Sequence, residues 1–343
     1  MKTAAIIGAT GHVGTALCRA FASAGWRVLA LSRHAFVPTA LRVRGVAFVP
    51  GWPEDSAAPS AGDFDPWLAD ADVIIDAAAP YPADPFRRSV GGERALVSAA
   101  LRRQQRLLDE AARREARYGT IGSFVAHGPR YGPSTPAAAQ AWSRAVRGLH
   151  PYFALKEACM HQVLAHTGRQ PVVELDPTGF LGPYDRKESR LSLAHRLMTG
   201  AVPVSPVDIV DFVDVRDVAS AMVRAMDRDV MGVAVPICGH SVPFARLIAD
   251  LCAAGEVSAP RMRTLTALGW PAVVLGERIL GRADLPAPIP SLALALVLEC
   301  GPRTATDLQR ALLPEVRPLA QTVADTVRWT LAPTGAASGP EGA

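Results

Sequence analysis

The sequence predicts an α/β fold, a doubly wound parallel sheet with a smaller, mostly C-terminal region. Three observations carry that expectation. An apolar run at Ala4–Ile7 leads directly into glycines at 8, 11 and 14. Short apolar runs then alternate with helix-like stretches through the first half, the pattern of a parallel sheet covered on both faces by helices. At 343 residues, 49% of them hydrophobic, the chain can fill a large core.

In chain order, Ala4–Ile7 suits a strand buried on both faces. The spacing Gly8-x-x-Gly11-x-x-Gly14 forms a tight turn, and residues 15–24 read as a helix stopped by Gly25. Such a turn lets backbone approach a pyrophosphate, while the helix start offers N–H groups and a positive dipole end. Further strands are expected at 28–31, 46–49, 73–75, 120–125 and 172–175. A long helix is expected at 92–117 with Leu101, Leu107 and Leu108 inward. Another is expected at 151–167, with Pro151 in its first turn and Gly168 beyond its end.

Strand ends carry the ligand signals, because ligands of open α/β sheets bind outside the carboxyl ends of the strands. The second strand ends in Ser32-Arg33-His34, and no Asp or Glu stands between Gly14 and Glu54. A carboxylate there holds the ribose diol of NAD, whereas an Arg pairs a 2′-phosphate. The expected cofactor is therefore NADP(H), with NAD(H) the alternative. The proline-rich loop Pro80–Pro85, containing Tyr81, should border the crevice, and the Gly/Pro-containing region 128–151 should shape it.

Composition excludes several classes. The net charge of +4 is mild and dispersed, with no basic block for nucleic acid. Five widely spaced cysteines, without C-x-x-C, fit a reducing compartment and no structural zinc. His161 and His166 do not share a helix face, so no metal site is expected. The chain enters its first strand almost at once, which argues against a signal peptide. The uncharged run Leu285–Leu298 is broken by prolines and shorter than the about 20 residues a bilayer requires. A cytoplasmic protein without a membrane span is expected, with 333–343 a disordered tail.

Tyr152 and Lys156 lie four apart, on one helix face. A fixed positive charge beside a phenol favours the phenolate and draws its pKa down from about 10. Ser123, at a strand's carboxyl end, can reach the same crevice.

The ordered set of the glycine turn, Ser123 before Gly128, and Tyr152-x-x-x-Lys156 resembles the short-chain dehydrogenase/reductase superfamily. Leu175-Asp176-Pro177-Thr178-Gly179-Phe180-Leu181-Gly182-Pro183 and Asp211-Phe212-Val213-Asp214-Val215-Arg216-Asp217-Val218-Ala219 resemble its extended branch, the NAD-dependent epimerase/dehydratase family. The likeness spans residues 1 to about 255. It looks closest to dihydroflavonol-reductase-like and 3β-hydroxysteroid-dehydrogenase-like members. Three positions depart from the family pattern. Gly51-Trp52 replaces a Gly-Asp pair, so that either adenine stacks on Trp52 or this loop is rebuilt. Leu101 stands where an Asn is frequent, and Asp176 stands where Arg or Asn is usual.

The resemblance implies a Rossmann-like domain from 1–178 and 207–235, and a substrate-binding region from 179–206 and 236–330. It implies Tyr152 as general acid/base, Lys156 tuning it and holding the nicotinamide ribose, and Ser123 on the reacting oxygen. The cofactor would meet Gly8, Thr10, Gly11, His12, Val13, Gly14, Ser32, Arg33, Ala78, Lys156 and Pro177. The substrate would meet Tyr81, Phe124, His127, Asp176 and Gly179. The implied reaction is NADPH-dependent reduction of a ketone or aldehyde, reversible as alcohol oxidation. The alternatives are a nucleotide-sugar epimerase or dehydratase, and a non-catalytic NADPH-sensing protein of the same fold. A carboxylate at Asp176 would repel a diphosphate, and 264–298 is rich in apolar residues such as Leu265, Leu268, Trp270, Val274, Leu275 and Leu292. Both features point to a hydrophobic carbonyl or alcohol substrate. A homodimer through exposed helices is the expected assembly.

Overall fold

A computed structural model describes residues 1–33, 35–52, 64–78, 92–185, 192–200, 204–205, 209–261, 263–264, 269–282 and 291–332. His34, the Pro80–Pro85 loop with Tyr81, and the expected tail 333–343 lie outside the described residues.

The chain opens with β1 (Thr3–Ile7), every residue of it buried. Helix α1 (His12–Ser23) begins three residues earlier than the sequence suggests, with Gly11 as its N-cap. Strands β2 (Arg27–Ser32) and β3 (Val46–Pro50) follow, then the short α2 (Asp65–Leu68) and β4 (Val73–Asp76). Helix α3 (Gly92–Arg113) leads to β5 (Arg117–Ile121). The expected strand at 120–125 is corrected here. The sheet ladder ends at Ile121, the backbone turns out at Gly122-Ser123, and Phe124–His127 form a 3₁₀ turn. Helices α4 (Ala137–Leu149) and α5 (Pro151–Leu164) precede β6 (Val172–Pro177).

The second half comprises β7 (Gly179–Leu181), α6 (Leu193–Met198), β8 (Val204–Ser205), β9 (Ile209–Asp214), α7 (Val215–Asp227) and β10 (Val233–Ile237). After these come β11 (His240–Pro243), α8 (Phe244–Ala254), β12 (Arg263–Thr264), α9 (Gly269–Arg282), α10 (Ser291–Glu299), α11 (Asp307–Leu312) and α12 (Leu319–Leu331).

Seven strands form the central sheet in the order β10-β6-β5-β4-β1-β2-β3, all parallel. The order reverses between β1 and β4, so the crevice outside their carboxyl ends is the topological switch point. A smaller sheet, β11-β9-β7, and the pair β12-β8 lie in the second half.

Residues of the expected substrate region divide between two cores. Leu312 and Leu313 join Leu17, Phe21, Met222 and Met226 under the central sheet. Trp270, Leu292, Leu294 and Leu298 pack with Trp142 and Phe153 in the other core, and the Trp142 and Trp270 rings lie 5.2 Å apart. In this packing the Trp270 and Leu292 side chains are buried in the interior. Leu265 and Leu268 lie outside the described residues.

The three aspartates of the 211–219 stretch each close part of the fold. Asp211 accepts hydrogen bonds from Thr178 Oγ1 (2.8 Å), Gly239 N (2.9 Å) and Ser241 Oγ (2.7 Å). Asp214 caps α7 through Arg216 N (2.8 Å) and also accepts from Thr322 Oγ1 (2.8 Å). Asp217 accepts from Arg317 N (2.8 Å). Burial opposes ionisation of Asp214, but its bonds to Arg216 and Thr322 outweigh that and hold its carboxyl below the usual range. Its stabilising contribution is therefore present above the ordinary Asp pKa and lost as pH falls through the lowered value. Asp214→Ala is expected to cost about 3 kcal/mol, from the lost cap and the lost bonds to Thr322 and Arg216, the latter keeping its ion pair with Asp325. Urea denaturation at neutral pH and in acid checks both the size and the shrinkage of the difference at low pH.

Candidate active site

The crevice is built from strand ends. β1 delivers Gly8, whose φ of +76° is open to glycine without strain. A Cβ on Gly8 would also come within 2.8 Å of the Ala78 Cβ beyond β4. Gly14 lets α1 start directly above the turn, because a Cβ there would lie 2.0 Å from the Gly8 carbonyl oxygen. Thr15 Oγ1 donates to Ala9 O (3.1 Å) and pins the turn from beneath. No side chain caps α1 and no acidic residue stands in its first turn, so its dipole faces the crevice unopposed. The small-residue cradle thus fits a dinucleotide pyrophosphate. Thr10, His12 and Val13 sit partly exposed around it, and the His12 ring meets Phe180 of β7 edge-on at 5.9 Å.

At the end of β2, Ser32 is buried and its carbonyl accepts from Trp52 N (3.0 Å), while Arg33 is exposed. Trp52 is corrected. Its ring stacks on Phe64 (5.2 Å, 18°) and meets Trp67 edge-on (6.0 Å). One face is taken by Phe64 and the side chain is buried, so the ring is not an open platform for adenine.

The reacting end forms where the chain leaves β5. Lys156 Nζ donates to the carbonyls of Ile121 (3.5 Å) and Gly122 (3.4 Å), next to Ser123. Tyr152, Lys156 and Ser123 are all buried, with Tyr152 one turn before Lys156 on α5. Pro151 fixes the first turn of that helix. His150 preceding it is held through its Nε2 to Ser291 Oγ (2.8 Å), whose hydroxyl also bonds Glu277. Strand β6 ends at Pro177, buried beside this turn's hydrogen-bond partner Asp176.

The expected substrate residues are placed unevenly. Asp176 is fully buried: its Oδ1 accepts from Ser123 N (2.8 Å) and its Oδ2 lies 2.8 Å from His127 Nε2. The idea that Asp176 faces a ligand's phosphates is corrected, since its carboxylate is turned inward and engaged. The His127 side chain remains 24% exposed, enough to meet solvent or ligand. Phe124 is buried, with the Arg303 guanidinium 5.2 Å over its ring. At Gly179 the Phe212 ring fills the space a Cβ would take, 2.5 Å away.

Sequence reasoning passed over Glu174. It shares a strand face with Asp176 and is fully buried. Both carboxyl groups crowd Gly122, where a Cβ would lie 1.9 Å from Asp176 Oδ1 and 2.1 Å from Glu174 Oε1. Neither Glu174 oxygen accepts a hydrogen bond among the described residues. Burial, reinforced by Asp176, pushes its carboxyl well above the usual range, with Lys156 pulling the other way. Of the two carboxyl groups beside Gly122, Glu174 is the one whose ionisation burial and its neighbour oppose. The signal was available: a charged residue inside the apolar run Val172-Val173-Glu174-Leu175.

A raised folded pKa means that the stability linked to this proton is present below the ordinary Glu pKa and is lost as pH rises toward the folded value. Glu174→Gln, which cannot titrate, is expected to raise the melting temperature at about pH 8 and to leave it nearly unchanged at about pH 4. Thermal melts of both proteins at the two pH values test this.

Among the described residues, no cluster of three or more His, Cys, Asp or Glu could hold a metal ion, and no helix is long and apolar enough to cross a membrane.

The family model described as the NAD dependent epimerase/dehydratase family matches residues 4–237. No curated protein is significantly similar in sequence. Among solved structures, gox2253 has a TM-score of 0.67 at 18% identity, with 96% of this chain and 97% of that chain covered. MoeE5, solved with UDP-glucose and NAD, has a TM-score of 0.64 at 17% identity, with 96% and 98% covered. UDP-N-acetylglucosamine 4-epimerase from Methanobrevibacter ruminantium M1, solved with UDP-N-acetylmuramic acid, has a TM-score of 0.65 at 15% identity, with 96% and 97% covered.

Proposed function

The chain belongs to the NAD dependent epimerase/dehydratase family, and from that premise we propose that it is an NADPH-dependent reductase or dehydrogenase acting on a ketone, aldehyde or alcohol of a hydrophobic small molecule. The observation that supports this reading is buried Lys156 anchored on the Gly122 carbonyl next to Ser123, at the carboxyl end of the sheet, with buried Tyr152 one turn earlier on α5. The nicotinamide, when bound, supplies or takes up a hydride. The protein handles the proton. Tyr152 donates its phenolic proton to the oxygen of the reduced carbonyl. Lys156, fixed by two carbonyl oxygens, presents the positive charge that favours the phenolate left behind. Ser123 offers its hydroxyl to the same oxygen, and Asp176 fixes the Ser123 backbone by its 2.8 Å bond. Gly8, Gly11 and Gly14 would cradle the pyrophosphate, and Pro177 would border the nicotinamide.

The hydrophobic substrate class, as in dihydroflavonol-reductase-like and 3β-hydroxysteroid-dehydrogenase-like members, rests on the apolar wall beside Ser123. Phe124, Val125, Tyr152, Leu181 and Phe212 belong to one cluster there. A second reading, nucleotide-sugar epimerisation or dehydration, is favoured by the family match and by the nucleotide sugars bound in similar folds. The inward turn of Asp176 also removes the charge objection to a diphosphate. The two readings separate by coenzyme balance. A reductase consumes NADPH in proportion to product, whereas an epimerase returns its coenzyme each cycle. Assays with a panel of hydrophobic ketones and aldehydes, beside calorimetry with UDP- and dTDP-sugars, decide between them. Low-micromolar binding of a nucleotide sugar would overturn the reductase reading.

Coenzyme choice rests on exposed Arg33 at the end of β2. A charge-assisted contact to a 2′-phosphate contributes on the order of 1.5–3 kcal/mol, so Arg33→Ala should weaken NADPH roughly tenfold to hundredfold and NADH little. Dissociation constants for both coenzymes with both proteins measure this. A wild-type preference for NADH would remove the assignment.

A further inference from the structure

We propose that a cleft between α1 and α7, lined by Arg19, Arg216, Arg224 and Arg317, is a binding site for a phosphoryl group, separate from the coenzyme crevice.

The spacing of residues on the two helices creates the cleft. On α7, Arg216, Ser220 and Arg224 fall four residues apart, so all three stand on one face. On α1, positions 16, 20 and 24 are alanines, which leave the groove between the helices open. Arg19 and Ser23 repeat the same spacing on the neighbouring row. Tyr184 after β7 and Arg317 before α12 complete a cleft of about 430 Å³, a size that suits a small organic molecule. The glycine turn lies at the other end of α1, since Arg19 is about 10 Å along the axis from His12.

Among the described residues, no carboxylate lines this cleft. Three stand behind it, already committed to the fold. Asp214 and Asp325 both pair with Arg216, at 2.8 and 2.7 Å. Asp217 accepts from the Arg317 backbone N–H (2.8 Å). The Arg317 guanidinium stays 3.7 Å from Asp217 and 3.8 Å from Asp214, and its buried Nε has no hydrogen-bond partner among the described residues. The Arg317 carbonyl, 2.7 Å from His240 Nε2, fixes its main chain from the other side. Arg224 donates to a neutral group, the Leu312 carbonyl (2.9 Å). Arg19 donates to the Ala40 carbonyl (3.0 Å), with its guanidinium 5.6 Å over the Tyr184 ring. Four guanidinium groups against three carboxylates leave a surplus of positive charge. Arg224 and Arg317 carry it without a hydrogen-bonded carboxylate.

A phosphoryl group suits this donor set better than a carboxylate does. It brings three acceptor oxygens and a charge of about −1.5 to −2 at neutrality, whereas a carboxylate has two oxygens and a single charge. Guanidinium groups bond such oxygens in pairs, and Ser23 and Ser220 add hydroxyl donors. Ala16, Ala20 and Val223 give apolar surface to the organic part of a phosphate ester.

Titration calorimetry of the full chain with phenyl phosphate, inorganic phosphate and benzoate tests the site, with and without saturating NADPH. Phenyl phosphate should bind once per chain whether or not NADPH is present, and benzoate should bind about tenfold more weakly or worse. Ser220→Glu places a carboxylate between Arg216 and Arg224 while removing none of the bonds above. It should weaken phenyl phosphate by about tenfold or more, as should Arg224→Gln. Both variants should keep the wild-type dissociation constant for NADPH. Thermal melts confirm folding, and Ser220→Glu decides the matter if Arg224→Gln, which loses its bond to Leu312, is unstable. Tighter binding of phenyl phosphate than of inorganic phosphate would identify a phosphate ester as the occupant, and equal binding would identify the free anion. Four results would each overturn the site: no saturable binding of either phosphate, displacement by NADPH, benzoate binding as tightly, or unchanged binding in Ser220→Glu.

Discussion

Tyr152→Phe is expected to lower turnover by about 10²–10⁴-fold while leaving coenzyme affinity nearly unchanged. The substitution removes only the phenolic oxygen. The ring itself belongs to the apolar cluster with Phe153, Val125 and Phe212, so Phe should keep the packing. Lys156 would remain fixed to the Ile121 and Gly122 carbonyls, independent of the Tyr152 hydroxyl. What disappears is the phenolic hydroxyl proposed as the proton donor. The loss should fall on kcat, with the coenzyme dissociation constant as the internal control. Wild-type turnover in the variant would take Tyr152 out of the mechanism. A parallel loss of coenzyme binding would assign it a structural part instead.

The first half of the fold was legible because β1, β2 and β4 are buried almost throughout and appear as unbroken apolar runs. β1, β2 and β4 lie within a residue or two of where those runs fall. The glycine turn was legible because its spacing has a steric cause, now visible at Gly8 and Gly14. The end of β5 was misplaced because Phe124 and Val125 continue the apolar signal of Ile121, and composition does not record that Gly122 must yield its side-chain space to two carboxyl groups. The same limit explains Trp52 and Asp176. Both are the kind of residue that contacts ligands, and both are engaged by partners distant in sequence, Phe64 and His127. The apolar residues around Trp270 followed the commoner role of such residues and fill the interior.

The second half was legible in its motif and not in its layout. Asp211, Asp214 and Asp217 read as a signature in the sequence. In the structure they are anchors for Thr178, Arg216 and Arg317, which tie β7, α7 and the approach to α12 together.

Gly14→Ala is the other large expected effect, and it isolates the coenzyme site from the proton chemistry. A Cβ at Gly14 would lie 2.0 Å from the Gly8 carbonyl oxygen, 2.8 Å from the Gly8 carbonyl carbon and 2.9 Å from the Ala9 Cα. All three atoms are backbone, so no side chain can rotate aside. The turn must open, and it can open only toward the crevice or by lifting the start of α1. Either shift spoils the approach of the first-turn amides to a pyrophosphate. Overpacking of this kind costs about 1–3 kcal/mol of stability, and coenzyme affinity should fall by about 100-fold or more, which corresponds to about 2.8 kcal/mol. Gly11→Ala makes the comparison specific. Its Cβ would sit 3.2 Å from the same oxygen, a distance that a few tenths of an ångström relieve, so a loss of no more than about tenfold is expected. Isothermal titration of NADPH and NADH into the three proteins, with a thermal melt to confirm folding, gives the ranking. Equal affinity in Gly14→Ala and the wild type would mean that the pyrophosphate does not lie over this turn.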